Sequence, residues 1–133
     1  MDSSFEVKTI SHPIVLRYFE TLNAEEFEQT SELFAIAGVL KPPFENPITG
    51  RAAIADYLER EAKGLVAEPR HASSQDMDDG CLEIQVTGRV KTPVFIVSVA
   101  WQFVLSAEDE ILFARVKLIA SPQELLSLRT RQD

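Results

Sequence analysis

The sequence has few of the residues from which cross-linked or ligated sites are built. Its single cysteine, Cys81, has no partner within the chain, so any disulfide would join two chains, and an inert thiol is the more frequent role. The only histidines, His12 and His71, have no nucleophile or metal ligand at a recognisable spacing. We therefore interpret both as exposed structural histidines and expect no metal site.

Short catalytic and ion-binding motifs are also absent. The sequence contains no glycine-rich phosphate loop, no HExxH motif and no GxSxG motif. The acidic run Asp76, Asp78 and Asp79 lacks the spacing of a calcium loop, because Gly80 comes one residue early and Thr87 stands at the twelfth position. We expect a solvated turn there.

Basic patches and membrane-spanning runs are missing as well. The 133 residues include 13 Lys and Arg against 21 Asp and Glu, a net charge of −8, and the cations are scattered. Such a surface repels phosphate backbones and anionic lipid. No apolar run approaches the roughly 20 residues that span a bilayer, and the N-terminus lacks the plan of a signal peptide. The sequence predicts a cytoplasmic protein that binds no nucleic acid and does not insert into membranes.

The sequence does have enough apolar residues, 45%, for one core, and we expect a single domain over residues 1–133. Its longest apolar stretch is Thr92–Leu105, which is rich in β-branched and aromatic residues and holds the only tryptophan, Trp101. This composition predicts a central strand with both faces covered. A buried indole needs a hydrogen-bond acceptor, which either the protein or a ligand must supply.

Helices are predicted in the first half of the chain. Ser11 as N-cap and Pro13 in the first turn open a helix that ends at Asn23. Asn23 is also the expected N-cap of a second helix. The apolar positions of the two helices are Val15, Tyr18, Phe19 and Leu22 in the first, and Phe27, Leu33 and Phe34 in the second.

The remaining elements are mostly strands. Gly38–Phe44 can form only a brief edge strand because of Pro42 and Pro43, and Arg51–Lys63 is a third helix, followed by Gly64. Beyond it the apolar period falls from about 3.6 to 2. The predicted strands are Leu65–His71, Cys81–Lys91, Thr92–Leu105 and Ile111–Ala120, and a capping box at Ser121, Pro122 and Glu124 opens a short C-terminal helix. This order predicts an α+β domain, in which a curved, mostly antiparallel sheet closes over a helical layer.

A curved sheet over helices encloses a cone-shaped space. The apolar side chains expected to point into it are Leu65, Val90, Val99, Val116 and Leu118. The hydroxyl of Tyr18 and the indole N–H of Trp101 could converge there, which suits a hydrophobic molecule that ends in a carbonyl. The alternative is that both are core aromatics whose donors reach backbone carbonyls.

Five stretches resemble the nuclear transport factor 2-like superfamily, and more closely its branch formed by the C-terminal domain of the orange carotenoid protein and free-standing homologues of that domain. These stretches are LRYFETLNAEEFE at 16–28, LFAIAGVLKPPFENPITGR at 33–51, IQVTGRVKTPVF at 84–95, VAWQF at 99–103 and LIASPQELLSL at 118–128. The resemblance covers nearly the whole chain.

The resemblance implies a cone-shaped fold, a homodimer formed through the sheet, and a non-covalently held ketocarotenoid such as canthaxanthin or echinenone. It implies that Tyr18 and Trp101 bind the ring carbonyl and that Thr92 and Val94 belong to the tunnel. The family commonly has tryptophan where this chain has Val94. The implied roles are pigment storage, transfer to a helical carotenoid-binding domain, and photoprotection.

The resemblance also implies contacts with a partner. Glu61 matches a glutamate that pairs with the helical domain in two-domain relatives, and an exposed helical glutamate is the alternative. Arg115 and Lys117 share the outward face of their strand, with Lys117 where an acidic residue is usual.

Two other classes of function stay open. The same superfamily includes isomerase-like and dehydratase-like enzymes, which need a carboxylate base at the mouth of the cone, and Glu45 is the nearest carboxylate. Because Lys41, Pro42 and Pro43 occupy the expected position of that base, catalysis is ranked below binding. The third class is a protein-docking domain whose cone is filled by its own side chains.

Overall fold

Residues 12–119 are described by the computed structural model, and in them three α-helices cover one face of a six-stranded sheet. The elements are α1 (Pro13–Asn23), α2 (Phe27–Glu32), β1 (Phe34–Lys41), β2 (Ile48–Thr49), α3 (Arg51–Glu61), β3 (Val66–Asp76), β4 (Leu82–Lys91), β5 (Ile96–Leu105) and β6 (Ile111–Ile119). The sheet order is β2-β1-β6-β5-β4-β3, antiparallel throughout except for the β1–β6 pair. The predicted α+β class is confirmed, while the predicted C-terminal helix lies outside the described residues.

Helix α1 begins at Pro13, as predicted, but a different residue forms its N-cap. The backbone N–H of Ile14 donates to Nδ1 of His12 at 3.3 Å, so His12 takes the N-cap position that was predicted for Ser11. Val15, Tyr18 and Phe19 are buried, as the apolar stripe predicted.

Asn23 connects α1 to the sheet, and the prediction that it caps α2 is wrong. Its side-chain amide donates to the Ala67 carbonyl at 2.9 Å, and its side-chain oxygen accepts from the Ala67 N–H at 2.8 Å. Helix α2 instead has Glu26 at its N-cap, without a side-chain cap hydrogen bond. Because Ala67 lies 44 residues from Asn23 in the chain, no local sequence pattern indicates this hydrogen bonding.

Strand β1 is longer and more central than predicted. It starts at Phe34, which was expected in a helix, and it lies between β2 and β6, so it is not the edge strand of the sheet. Its register to β6 shifts between Phe34 and Val39, and a Cβ on Gly38 would lie 2.8 Å from the Ile111 carbonyl oxygen. The glycine permits this close approach of two parallel strands.

Strands β3 and β4 form a long hairpin that bends at one glycine. Strand β3 continues to Asp76, five residues beyond its predicted end, and its pairing shifts between Pro69 and His71. Opposite this bulge, a Cβ on Gly88 would overlap the Glu68 carbonyl and lie 2.8 Å from Cα of Pro69. Residue 88 must therefore be glycine for the backbones to come this close.

Strand β5 starts later than predicted, because Thr92–Phe95 is a turn. The Thr92 hydroxyl donates to the Phe95 carbonyl at 2.8 Å and accepts from the N–H groups of Val94 and Phe95 at 3.2 and 2.9 Å. The strand buries Val99, Trp101, Phe103 and Leu105 on its inner face, whereas Ser98, Ala100, Gln102 and Val104 on the other face are half-buried. Within residues 12–119 the inner face is thus covered fully and the other face only in part.

We expect Gly88→Ala to lower the free energy of unfolding by about 2–4 kcal/mol, because the added methyl group meets backbone atoms of β3 that cannot rotate away. Urea denaturation measures the change. Gln85→Ala, an exposed change on the same strand, is the control and should stay within about 0.5 kcal/mol. Equal stability of the two variants would contradict the role of Gly88.

Candidate functional site

The helices and the inner face of the sheet enclose an apolar cavity of about 290 Å³. Helices α1 and α3 form one wall, β4–β6 the other, and the Pro42–Pro43 segment closes one side. The volume is near the lower limit for small-molecule sites, and the walls carry few polar groups.

Eight of the residues predicted for the site line this cavity: Tyr18, Leu65, Val90, Thr92, Val99, Trp101, Val116 and Leu118. Val94 does not line it, because the Thr92–Phe95 turn leaves the Val94 side chain 81% exposed. Phe95, the next residue, contributes to the wall instead although it is 58% exposed.

Ten lining residues were missed: Leu22, Leu40, Pro42, Pro43, Tyr57, Leu58, Ala62, Ala67, Phe95 and Val97. Leu22 belongs to the apolar stripe predicted for the first helix, and Tyr57, Leu58 and Ala62 recur at helical spacing within the predicted helix Arg51–Lys63. Nothing local marks the two prolines, because they reach the cavity only through the position of β1 beside β6.

Tyr18 and Trp101 are held in place by aromatic packing. The Tyr18 ring meets Phe103 and Phe19 edge to face, with centroids 5.0 and 5.3 Å apart, and Trp101 meets Phe19 at 4.9 Å. Tyr18 and Trp101 are only 2% and 3% exposed. Such edge-to-face pairs fix ring orientation beyond what burial alone requires.

The polar atoms of these two residues have no acceptor within residues 12–119. The side-chain hydrogen bonds among residues 12–119 include none from the Tyr18 hydroxyl or the Trp101 indole N–H. Neither atom is among the fully buried side-chain atoms without a partner, which in this range are represented by Arg89 Nε. Burial, with a smaller contribution from Tyr57, raises the pKa of Tyr18 well above its usual value of 10.0. The hydroxyl therefore stays protonated and can donate a hydrogen bond into an apolar space.

The mouth of the cavity carries an acidic group on its helical side. Glu61, at the end of α3, lines the cavity and lies 3.8 Å from Arg60. Burial, then Glu45 and Glu61, raise the pKa of the neighbouring Tyr57 to about 12, against an opposing effect of Arg60.

Arg115 and Lys117 lie on the opposite side of the mouth. They do not line the cavity; they line an adjoining groove together with Lys41 and Phe44. Cations and a carboxylate thus flank the opening from two sides.

The remaining reactive residues lie apart from the cavity. Cys81 is half-buried at the start of β4, His71 is exposed on β3, and His12 lies 3.3 Å from Asp109. No group of three His, Cys, Asp or Glu residues within 12–119 could hold a metal ion. None of the helices in this part of the chain is both long and apolar enough to cross a bilayer.

An open mixed sheet with helices on one face and an apolar cavity between them is the architecture of nuclear transport factor 2-like proteins. Residues 10–114 match the nuclear transport factor 2 (NTF2) domain family, and the chain belongs to that family. The predicted resemblance to the C-terminal domain of the orange carotenoid protein is confirmed.

The chain is similar to the orange carotenoid-binding protein of Limnospira maxima, with 36% identity over 92% of this chain and 40% of that protein. It is also similar to the solved structure of the Anabaena (Nostoc) orange carotenoid protein binding canthaxanthin, with 38% identity, a TM-score of 0.82, and 89% of this chain and 39% of that one covered. The chain thus spans about two fifths of these relatives. The epoxide hydrolase/cyclase-like enzyme SalBIII, at 20% identity, a TM-score of 0.65, and 93% and 97% coverage, shares the fold alone.

The raised pKa of Tyr18 predicts a loss of stability at alkaline pH. The folded state holds the hydroxyl proton of Tyr18 more tightly than the unfolded state does. The resulting contribution to the free energy of unfolding is therefore complete below pH 10.0 and is lost as the pH rises above that value. We expect the free energy of unfolding to fall less steeply above pH 10.0 in Tyr18→Phe than in the wild type. Denaturant titrations at several alkaline pH values measure this slope, and parallel slopes would contradict the prediction.

Proposed function

We propose that this protein binds a ketocarotenoid non-covalently, with one keto ring in the cavity, and that it stores the pigment or transfers it. The observation that carries the proposal is the pair of neutral donors, Tyr18 and Trp101, which line a mostly apolar cavity and form no hydrogen bond within residues 12–119. Canthaxanthin and echinenone are ligands of the right class because each ends in a conjugated ring ketone.

The two donors supply both recognition and a spectroscopic signature. A hydrogen bond from a neutral donor contributes about 0.5–1.5 kcal/mol, so a ligand carbonyl that accepts from Tyr18 and Trp101 is favoured over a hydrocarbon ring. Hydrogen bonds on the ketone oxygen polarise the conjugated chain, and we expect a red shift of the absorption band. The apolar walls supply most of the affinity through burial of the ring and the adjoining polyene.

The cavity is too small for a whole carotenoid, so we expect a second protein surface to cover the rest of the ligand. About 290 Å³ holds one end of a carotenoid, so the polyene leaves through the mouth. A second copy of this chain or a helical carotenoid-binding domain would cover it, with Glu61, Arg115 and Lys117 as contact residues. Pigment delivery in photoprotection is the corresponding process.

An isomerase or dehydratase has less support. Glu45 is exposed and does not line the cavity, so it is not placed to take a proton from a bound ligand. A docking domain with a filled cone agrees less well with the open volume. Carotenoid binding is therefore the function that the site supports best.

Expression in cells that make canthaxanthin tests the proposal. We expect a coloured protein whose visible band lies to the red of free canthaxanthin. A colourless protein, after purification under conditions that retain carotenoids on related domains, would contradict the proposal.

We expect the Tyr18→Phe/Trp101→Phe double variant to lose the red shift, because the ketone oxygen then has no donor, while the aromatic packing keeps the fold. Absorption spectra of the purified proteins measure the shift, and circular dichroism checks the fold. Ser73→Ala, which removes an exposed hydroxyl on β3 outside the cavity lining, is the control and should keep the wild-type band. An unchanged spectrum of the double variant would remove these residues from the site.

A further inference from the structure

A groove of about 360 Å³ opens beside the mouth of the cavity and carries a concentration of positive charge. Its lining includes Lys41, Arg115 and Lys117, together with Phe44, whose ring is 90% exposed. Among residues 12–119 its lining contains no carboxylate, although the whole chain has a net charge of −8. We call this the basic groove.

The basic groove exists because β6 continues beyond the point where its neighbour β1 ends. The last pair between the two strands is Lys41 with Arg115, after which β6 continues to Ile119. Pro42 and Pro43 follow β1 at once, and prolines cannot extend a strand ladder. Beyond Arg115 the edge of β6 is unpaired by any described strand on this side, and side chains of both its faces line the groove there, Val116 and Leu118 from the inner face and Arg115 and Lys117 from the outer. We call this edge the slot.

The groove adjoins the cavity at this slot. Pro42, Pro43, Val116 and Leu118 line both spaces. Val116 is the register partner of Trp101, so the groove begins one strand away from the indole. A ligand bound by Tyr18 and Trp101 can therefore extend into it.

The three cations have no acidic partner among residues 12–119. None of the ion pairs there includes Lys41, Arg115 or Lys117. The Lys41 ammonium donates to the Pro42 carbonyl at 2.9 Å, and the Arg115 guanidinium lies 5.4 Å from the centre of the Phe113 ring. An anion at the slot would thus gain partners without breaking any ion pair between residues of the range 12–119.

Resting on the proposed function, we infer that this site also takes a shortened ketocarotenoid that ends in a carboxylate, as oxidative cleavage of the polyene would produce. The ring ketone accepts from Tyr18 and Trp101, and the carboxylate reaches Lys41, Arg115 and Lys117 in the basic groove. A cleaved ligand also suits a cavity of about 290 Å³ better than an intact carotenoid does. The groove then selects the acid over the alcohol of the same length.

Four retinoids test the inference, because they vary the two polar ends independently: oxoretinoic acid with ketone and carboxylate, oxoretinol with the ketone only, retinoic acid with the carboxylate only, and retinol with neither. Quenching of the single tryptophan, Trp101, reports binding. We expect oxoretinoic acid to bind about tenfold more tightly than oxoretinol, a gain that several exposed ion pairs supply together and that salt reduces.

Two charge-matched double variants assign the effect to the groove. Arg115→Gln/Lys117→Gln should abolish the preference for the acid, whereas Arg17→Gln/Arg70→Gln removes two exposed cations elsewhere and should keep it. Equal affinity for acid and alcohol, or a preference that survives in the groove variant, would overturn the inference.

The experiments distinguish failure of the inference on the basic groove from failure of the proposed function. If canthaxanthin binds with a red shift but the acid has no advantage, the inference on the basic groove fails and ketocarotenoid binding stands. If neither canthaxanthin nor any of the four retinoids binds, both fail.

Discussion

The edge-to-face packing of α1 on β5 is the contact on which the site depends. Tyr18 and Phe19 project from one helix turn onto Trp101 and Phe103, with ring centroids about 5 Å apart. These rings fill the closed end of the cone and hold the helix at a distance from the sheet that smaller side chains would not maintain. Farther along the same strand the inner residues are Val97 and Val99, whose smaller volume leaves the space open.

The two ends of the cavity differ in chemistry because different structural elements form them. The closed end has neutral donors whose rings are fixed by edge-to-face contacts, and it suits an uncharged hydrogen-bond acceptor. The mouth is built from a turn held by the Thr92 hydroxyl, from two prolines, and from the end of α3. There Glu61 lies on the helical side and the cations of the basic groove lie on the sheet side.

Much of the fold could be read from local patterns. The helix that starts at Pro13, the change of period after Gly64 and the four strands that follow were predicted within a few residues, because burial on one face imposes a period of 3.6 or 2. The errors fell where long-range contacts override local preference. Phe34 continues a helical pattern but pairs with Ile111, and Asn23 has the composition of a cap but binds the Ala67 backbone.

The candidate site was predictable in part for the same reason. A buried hydroxyl and a buried indole each need an acceptor, which drew attention to Tyr18 and Trp101, and the family resemblance then implied their ligand role. Alternation along the strands predicted five apolar wall residues, whereas ten other lining residues were missed. Val94 lies outside the cavity lining, because the long apolar run contains a turn at Thr92–Phe95. Thr92 closes that turn with its side chain, which shifts the start of β5 to Ile96 and replaces Val94 by Phe95 at the mouth.

The sequence by itself determined the class of the fold, the apolar character of the cone and the two donors within it, since these depend on residue type and period. Only the tertiary structure decided where the cavity opens. The basic groove arises from strand lengths, because β1 stops at Lys41 while β6 runs on beside β5 to Ile119. Lys41 and Lys117 are 76 positions apart in the chain, and no local pattern could have placed them in one slot.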